Sequence, residues 1–272
     1  MHKLIIAALV GFAAALAWAL AGSTHTARVA RQPSGIQQAF PGSTATSSTP
    51  STSALAIALD GSLSTATKML RNEYRRAALA AVQSAAANGA AVRVVVFGAS
   101  GVGARVIFSG SFVPVSTVYA FNLAARNHLL CLAKQALSSA FVGRARLAGT
   151  DLAGAIAGQV GWGRSVVGPQ GHVSVLALGD GCQAPAPSGP NANLTDLCRA
   201  LRTGLKSDWI LAHHHAEFSL GDARGVHLTL AGVGVSADAA SASTVRAEKI
   251  VRFWQLDCRR SHAVCSIRSA VS

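Results

Sequence analysis

The chain has 272 residues, half of them apolar and only 13% charged, which is too hydrophobic for a disordered chain and fits one large domain with appendages. The 24 Lys and Arg residues against 11 Asp and Glu give a net charge of +13. Because the basic residues form no long run and aromatic residues are sparse, we interpret the charge as a general surface bias and expect no nucleic-acid partner.

The first segment of the chain is typical of an export signal. Lys3 precedes an apolar, alanine-rich run over residues 4–20, and Ala19 and Ala21 are small residues of the kind that a signal peptidase recognises. Residues 1–21 are therefore predicted to be a signal peptide or an N-terminal membrane anchor. Both alternatives place the rest of the chain outside the cytoplasm, secreted or held at the membrane and cell envelope.

The composition changes sharply over residues 22–53, where residues 41–53 are a low-complexity run of Ser, Thr and Pro. Such a segment has little apolar surface to offset the entropy lost on ordering. We expect residues 22–53 to be a flexible linker and residues 54–272 to form the folded domain.

Strand and helix patterns alternate along the folded part. Continuous apolar and β-branched runs predict buried strands at residues 54–60, 91–97, 172–178 and 226–231. Helices are predicted at residues 68–87, 118–140, 151–160, 194–205 and 242–260. A short strand at residues 105–108 follows its predecessor too closely for a crossover, so we expect it to be antiparallel. The sequence thus predicts a doubly wound α/β domain, with a mostly parallel sheet of five or six strands and helices on both faces.

Five cysteines add a constraint that suits an exported protein. Two pairs are close in sequence, and we expect Cys182 to bond with Cys198 and Cys258 with Cys265. The remaining Cys131 lies in an apolar helical pattern and is predicted to be a buried small hydrophobic residue.

Polar side chains follow two of the predicted parallel strands. Asp60, Ser62 and Ser64 alternate directly after the first strand, Thr150 precedes a helix, and Asp180 follows a later buried strand. Ligands of such sheets bind at the carboxyl ends of the strands. Carboxylate and hydroxyl oxygens are ligands that Mg²⁺ prefers, so we expect these five residues to form a metal site. The alternative is that Asp60, Ser62 and Thr150 only cap the helices that follow them.

These residues resemble the metal-ion-dependent adhesion site of von Willebrand factor type A (VWA) domains. The similar pieces occur in the same order: the Asp-x-Ser-x-Ser sequence from Asp60, the Gly-Thr-Asp sequence at residues 149–151, and the Gly-Asp-Gly sequence at residues 179–181. Residues 231–234 resemble the end of that family's last strand. The sequence departs from the family at Gly179, where the family usually has Thr or Ser.

The resemblance implies roles for the site residues. Ser62 and Ser64 would ligate Mg²⁺, or Mn²⁺ or Ca²⁺ in its place, and Thr150 would do so directly or through water. Asp60 and Asp180 would act mostly through bridging waters, and a carboxylate of a partner protein would complete the coordination. The resemblance thus implies an exported, cation-dependent adhesion or protein-binding domain and no enzyme, since no general base or nucleophile accompanies the ligands.

Two further patterns compete with this interpretation. The glycines between Gly98 and Gly103 resemble a phosphate loop and would make the chain an NAD(P)-binding enzyme, but no helix is predicted to follow them. The run His213, His214 and His215 is interpreted as a loop or helix end, because no spaced partner completes a metal site. A non-metal α/β scaffold is the remaining alternative.

Overall fold

The computed structural model describes residues 51–98, 104–141, 149–184, 196–213, 218–235 and 244–271. The predicted export segment and nearly all of the predicted linker lie outside these residues. Within them, no helix combines the length and the apolar character needed to cross a bilayer. Ser51 is already buried, and Ser53 is the first residue of the first strand.

The described residues contain six strands, six α-helices and, directly after the first strand, a 3₁₀ helix at Leu63–Thr65. The strands are β1 (Ser53–Asp60), β2 (Ala91–Phe97), β3 (Arg105–Ser111), β4 (His172–Leu178), β5 (Val226–Ala231) and β6 (Val264–Arg268). The helices are α1 (Lys68–Ala87), α2 (Tyr119–Ser139), α3 (Leu152–Val167), α4 (Leu197–Arg202), α5 (Ser207–His213) and α6 (Thr244–Arg260).

The strands form one sheet in the order β3-β2-β1-β4-β5-β6. All neighbours are parallel except β2 and β3, which pair antiparallel with an irregularity between Val94 and Val95. The predicted fold class, a doubly wound and mostly parallel sheet with one antiparallel edge strand, is confirmed.

Alternate residues of the central strands serve two separate cores. Ala54, Ala56 and Ala58 of β1 pack into the core that contains α3, α4, α5 and α6. Ile57 and Leu59 pack into the opposite core, which contains α1 and α2. Helices therefore cover both faces of the sheet. The polar residues at the ends of the parallel strands remain uncovered by these two cores and lie at the two edges.

Two helices have boundaries that differ from the predicted ones, and one helix and one strand were not predicted. Helix α3 continues past two glycines to Val167 and ends at Gly168, which has a positive φ of 72°. Helix α4 begins only after Asp196, whose side chain accepts a hydrogen bond from the Arg199 N–H. Strand β6 and helix α5 were not predicted, because both are short and β6 is a largely exposed edge strand.

Both predicted disulfides are present, but the prediction for the fifth cysteine was wrong. Cys182 bonds with Cys198 and Cys258 with Cys265, whereas Cys131 is a free and exposed thiol on α2. Only Ala133 and Leu137 of α2 are fully buried. Since Cys131 lies two residues before Ala133, it is about 200° around the helix from that buried side.

A buried carboxylate in α6 makes the stability of this fold depend on pH. Asp257 is fully buried, and burial raises its pKa to about 7, partly offset by the Leu220 backbone N–H and by Arg260. The folded-state pKa therefore exceeds the unfolded value. The stabilisation that this protonated group provides is complete at acidic pH and is lost as the pH rises toward 7.

We expect Asp257→Asn to stabilise the protein at pH 8 by roughly 2 kcal/mol and to have little effect at pH 4, because Asn keeps the shape and the acceptor but carries no charge. Urea unfolding of both proteins at the two pH values measures the difference. The exposed Asp208→Asn serves as the control and should change stability by less than about 0.5 kcal/mol. A stabilisation by Asp257→Asn that does not depend on pH would contradict this account.

Candidate metal centre

The predicted site lies where the strand order of the sheet reverses direction. Strand β1 pairs with β2 on one side and β4 on the other, and the carboxyl ends of all three lie at one edge. Asp60 is the last residue of β1, and Asp180 follows the end of β4 by two residues. Ligands of doubly wound sheets bind at this position.

The electrostatics of Asp60 indicate that the two carboxylates are close together. Burial raises the pKa of Asp60, and the negative charge of Asp180 raises it further, while hydrogen bonds from Ser62 and the charge of Arg71 act in the opposite direction. Asp60 is 0% exposed and Asp180 is 1% exposed. Two carboxylates in such a setting need a proton or a cation to offset their repulsion.

The turn after β1 brings two hydroxyl groups to the same place. The Ser62 backbone N–H donates to Asp60 Oδ1 at 2.8 Å, and the Ser62 and Ser64 Oγ atoms are 2.9 Å apart. The buried Thr65 hydroxyl lies within hydrogen-bond distance of the backbone carbonyls of Asp60 and Ser62, which fixes the turn. Ser64 is only partly buried, so this hydroxyl lies on the more open side of the turn.

Other residues cap the two α-helices that follow the predicted site residues. Thr67 is the N-cap of α1 and accepts from the Leu70 N–H, and Asp151 is the N-cap of α3. Capping of α1 and α3 therefore does not account for Asp60, Ser62 or Thr150. Asp60 and Ser62 do lie at the start of the 3₁₀ helix Leu63–Thr65, where Asp60 Oδ1 accepts from the Ser62 N–H.

Backbone pairing holds Thr150 beside the loop that follows Asp180. The Thr150 N–H donates to the Ala184 carbonyl and the Ala184 N–H donates to the Thr150 carbonyl, both at 2.7 Å. The Asp151 N–H donates to the Gly98 carbonyl at the end of β2. The structure thus brings all five predicted residues to one edge of the sheet, with Thr150 on a loop between the ends of β2 and β4.

Gln183 connects the Thr150 loop to the Asp180 loop, and sequence reasoning missed it. Its amide nitrogen donates to Asp151 Oδ1 at 2.9 Å, and its Oε1 accepts from the Ala153 N–H at 3.0 Å. The side chain is 0% exposed. No pattern in the sequence marks this glutamine, because its role depends on a loop that is 30 residues earlier in the chain.

The loop after β4 is held by several contacts. The Cys182 N–H donates to Asp180 Oδ1 at 2.9 Å, and the disulfide ties Cys182 to Cys198 in α4. Gly181 has a φ of 77°, and a Cβ there would lie 2.8 Å from Ile250. The Trp254 indole N–H donates to the Gly181 carbonyl at 2.8 Å. Position 181 therefore requires glycine. The hydrogen bond from Trp254 ties the loop to α6.

Gly179, the departure from the VWA pattern, makes room for Asp60. A Cβ at this position would lie 3.1 Å from Asp60 Cβ and 3.2 Å from Asp60 Oδ2. The absence of a side chain lets the carboxyl group of Asp60 lie directly against the neighbouring strand.

Tyr74 is a second residue that sequence reasoning missed. It is 0% exposed in α1, and its pKa is raised by burial and by the charges of Asp60 and Asp180. A Cβ on Gly232 would lie 3.0 Å from the Tyr74 hydroxyl oxygen. The amphipathic pattern of α1 predicts that Tyr74 is buried but gives no sign that its hydroxyl lies near the two carboxylates.

Neither the glycine pattern at residues 98–103 nor the histidine run at residues 213–215 forms the site that was its alternative interpretation in the described residues. After Gly98 the next element is the antiparallel strand β3 and not the helix that a pyrophosphate site requires, although residues 99–103 lie outside the described part. His213 ends α5, is exposed, and stacks on Trp209 with ring centroids 4.3 Å apart. His214 and His215 lie outside the described residues.

The oxygen atoms gathered at the carboxyl ends of the strands suit a hard divalent cation. Asp60 Oδ2 is buried without a hydrogen-bond partner among the described residues, and the surrounding donors are oxygens, which Mg²⁺ and Ca²⁺ prefer. The described residues contain no group of three or more His, Cys, Asp or Glu side chains that could hold a metal. A cation here would therefore depend on hydroxyl groups and water as well as on the two carboxylates.

Comparisons with known proteins give only distant structural similarity. No family model and no curated protein matches the sequence. A solved pilus adhesin, SpaC from Lactobacillus rhamnosus GG, is 13% identical, with a TM-score of 0.43 over 81% of this chain and 28% of that one. Proximal thread matrix protein 1 from the mussel byssus is 12% identical, with a TM-score of 0.36 over 67% of this chain and 38% of that one.

A third solved structure, the conserved hypothetical protein BatB from Bacteroides thetaiotaomicron, is 14% identical, with a TM-score of 0.32 over 65% of each chain. This chain spans less than two thirds of the length of each of the three proteins. Similarity at this level assigns neither a family nor a function to the chain.

Proposed function

We propose that this chain is an exported VWA-type domain that binds a partner protein through a divalent cation. The observation that carries the proposal is the buried pair Asp60 and Asp180 at adjacent strand ends, with Oδ2 of Asp60 lacking a hydrogen-bond partner in the described part of the chain. Keeping an unneutralised carboxyl oxygen out of water is costly, and a cation would offset that cost.

The hydroxyl residues and the aspartates would have different roles at the site. The Ser62, Ser64 and Thr150 hydroxyls would hold the cation, and Asp60 and Asp180 would supply the negative charge that attracts it. The Ser62 and Cys182 backbone N–H groups each occupy one oxygen of an aspartate and so orient the carboxyl groups. Mg²⁺ bound in this way supplies a positive centre that accepts one more oxygen ligand.

A carboxylate is the partner group that fits this centre. An acidic side chain would contribute a charge-assisted bond to the cation, and the net charge of +13 would favour the approach of an acidic partner. The proposed role is adhesion or protein recognition and not catalysis, because the site residues supply ligands and helix or loop contacts but no activated nucleophile.

Calorimetry with Mg²⁺ and with Mn²⁺ tests the metal site. We expect the wild-type protein to bind one cation and the Asp60→Ala/Ser62→Ala double variant to lose that binding, because the change removes one charge and one hydroxyl ligand. Asp208→Asn, an exposed change of the same charge on α5, should bind as the wild type does. Equal heats for the wild type and the double variant would refute the metal site and leave a non-metal α/β scaffold.

Partner binding can be tested on the same proteins. Cell-surface protein captured by the wild type in Mg²⁺ should be released by chelator and should not be captured by the double variant. Capture that survives chelator, or that the double variant retains, would contradict a cation-mediated contact.

Thermal unfolding separates a metal role of Asp60 from a structural one. In chelator at pH 9, above the raised pKa of Asp60 of about 8, we expect Asp60→Asn to unfold at a higher temperature than the wild type, because it removes repulsion between two buried carboxylates. Added Mg²⁺ should raise the unfolding temperature of the wild type only, since a ligand stabilises the state that binds it. A purely structural Asp60 would make the variant less stable in both conditions.

Gln183 is expected to support metal binding without touching the metal. Gln183→Ala should weaken Mg²⁺ binding by about tenfold or more, as changes beside a metal's ligands commonly do, because it removes the side-chain link between the two loops and leaves only the backbone pairing of Thr150 with Ala184. Gln159→Ala removes another buried glutamine, in the middle of α3, and should leave Mg²⁺ affinity unchanged. Equal affinities for the two variants in calorimetry would show that Gln183 has no positioning role.

A further inference from the structure

A cleft of about 450 Å³ opens at the edge of the sheet opposite Asp60. It lies between the segment before β5 and the segment before β6, and its lining includes Ser219, Asp222, Arg224, Arg260 and His262. Since β5 and β6 are parallel to β1, their amino ends lie at the edge away from the candidate metal centre. We refer to this feature as the basic cleft.

Hydrogen bonds from three elements hold the walls of the basic cleft together. Arg164 in α3 donates through its two terminal nitrogens to the carbonyls of Asp222 and Arg224, at 2.9 and 3.0 Å. The Ala223 N–H donates to the Ser261 carbonyl at 2.9 Å and so joins the two segments. The cleft is therefore a defined structure and not a gap between unconnected loops.

The backbone at His262 supports the same conclusion. With a φ of 57°, His262 is the only non-glycine residue with a positive φ in the described part of the chain. The disulfide between Cys258 and Cys265 encloses this turn. A conformation that non-glycine residues seldom adopt is retained here and places histidine on the lining of the cleft.

The basic cleft has an excess of positive charge. Arg224 and Arg260 line it, and Arg164 lies behind its wall, where it donates to the carbonyls of Asp222 and Arg224. The pKa of Asp222 is lowered by a hydrogen bond from the Arg224 N–H and by the neighbouring positive charges. Asp257 lies buried nearby with a pKa of about 7, so at neutral pH it carries only part of a negative charge. Among the charged residues that line the cleft, Arg224 and Arg260 thus outnumber the single carboxylate of Asp222.

We propose that the basic cleft binds the phosphate group of an anionic phospholipid. Guanidinium groups match phosphate oxygens in charge and in hydrogen-bond geometry, and serine and histidine are additional donors. The volume of the cleft exceeds what a single phosphate ion would fill, which leaves room for the rest of a head group.

The path of the chain favours a lipid as the source of that phosphate. The chain enters the sheet at the edge of the basic cleft, where the Thr52 carbonyl accepts from the His172 N–H and β1 begins at Ser53. About 30 residues of chain separate the end of the predicted export segment from this point. If residues 4–20 address the membrane as predicted, the chain that leaves it enters the sheet on the side of the basic cleft, independently of any metal at Asp60.

Vesicle co-sedimentation of the full chain tests the proposal. We expect more binding to phosphatidylcholine vesicles that contain phosphatidylglycerol than to phosphatidylcholine alone. Arg224→Gln/Arg260→Gln should lower that difference about tenfold or more, and both side chains are exposed, so the fold should survive. Lys68→Gln/Arg76→Gln removes the same charge from exposed positions of α1 and should retain the preference. All variants keep the N-terminal segment, whose own affinity for lipid therefore cancels.

Three results would overturn the proposal. Equal losses in the two double variants would show that only the general surface charge matters. Saturable binding of inorganic phosphate that requires Arg224 and Arg260, with no preference for phosphatidylglycerol vesicles, would make a free anion the ligand. Stronger binding to a duplex oligonucleotide than to anionic vesicles would assign the basic cleft to nucleic acid.

Discussion

The repulsion between Asp60 and Asp180 is the constraint on which the carboxyl edge of the sheet depends. Both carboxyl groups are buried at the ends of adjacent parallel strands, so each must be oriented by other groups. Backbone N–H groups of the following turns supply that orientation, and glycine at position 179 gives the Asp60 carboxyl group its space. The remaining contacts at this edge, from Gln183, Trp254 and the nearby disulfide, fix the loops in which those N–H groups lie.

Parallel topology separates the two proposed sites. Every crossover returns the chain to the same edge before the next parallel strand begins, so carboxyl ends gather at one edge and amino ends at the other. The candidate metal centre occupies the first edge and the basic cleft occupies the second. A domain held at a membrane through the basic cleft would direct its metal-binding edge away from the bilayer.

The sequence predicted the parts of this structure that depend on local pattern. The buried strands, the antiparallel β3, both disulfides and the positions of Asp60 and Asp180 follow from apolar runs and short spacings. The functions of Gln183 and Tyr74 could not be predicted, because each depends on contacts between segments far apart in the chain. The burial of Cys131 was predicted wrongly because an apolar helix was assumed to be buried on all sides.

The exposed Cys131 makes the molecule well suited to attachment experiments. The other four cysteines are in disulfides, so one thiol in the whole chain is available for chemical coupling. It lies near the middle of the 21-residue helix α2 and thus between the two functional edges of the sheet. A fluorophore or a tether attached there without any engineered cysteine would leave both edges open, so that bond lifetimes under load could be recorded from the native sequence.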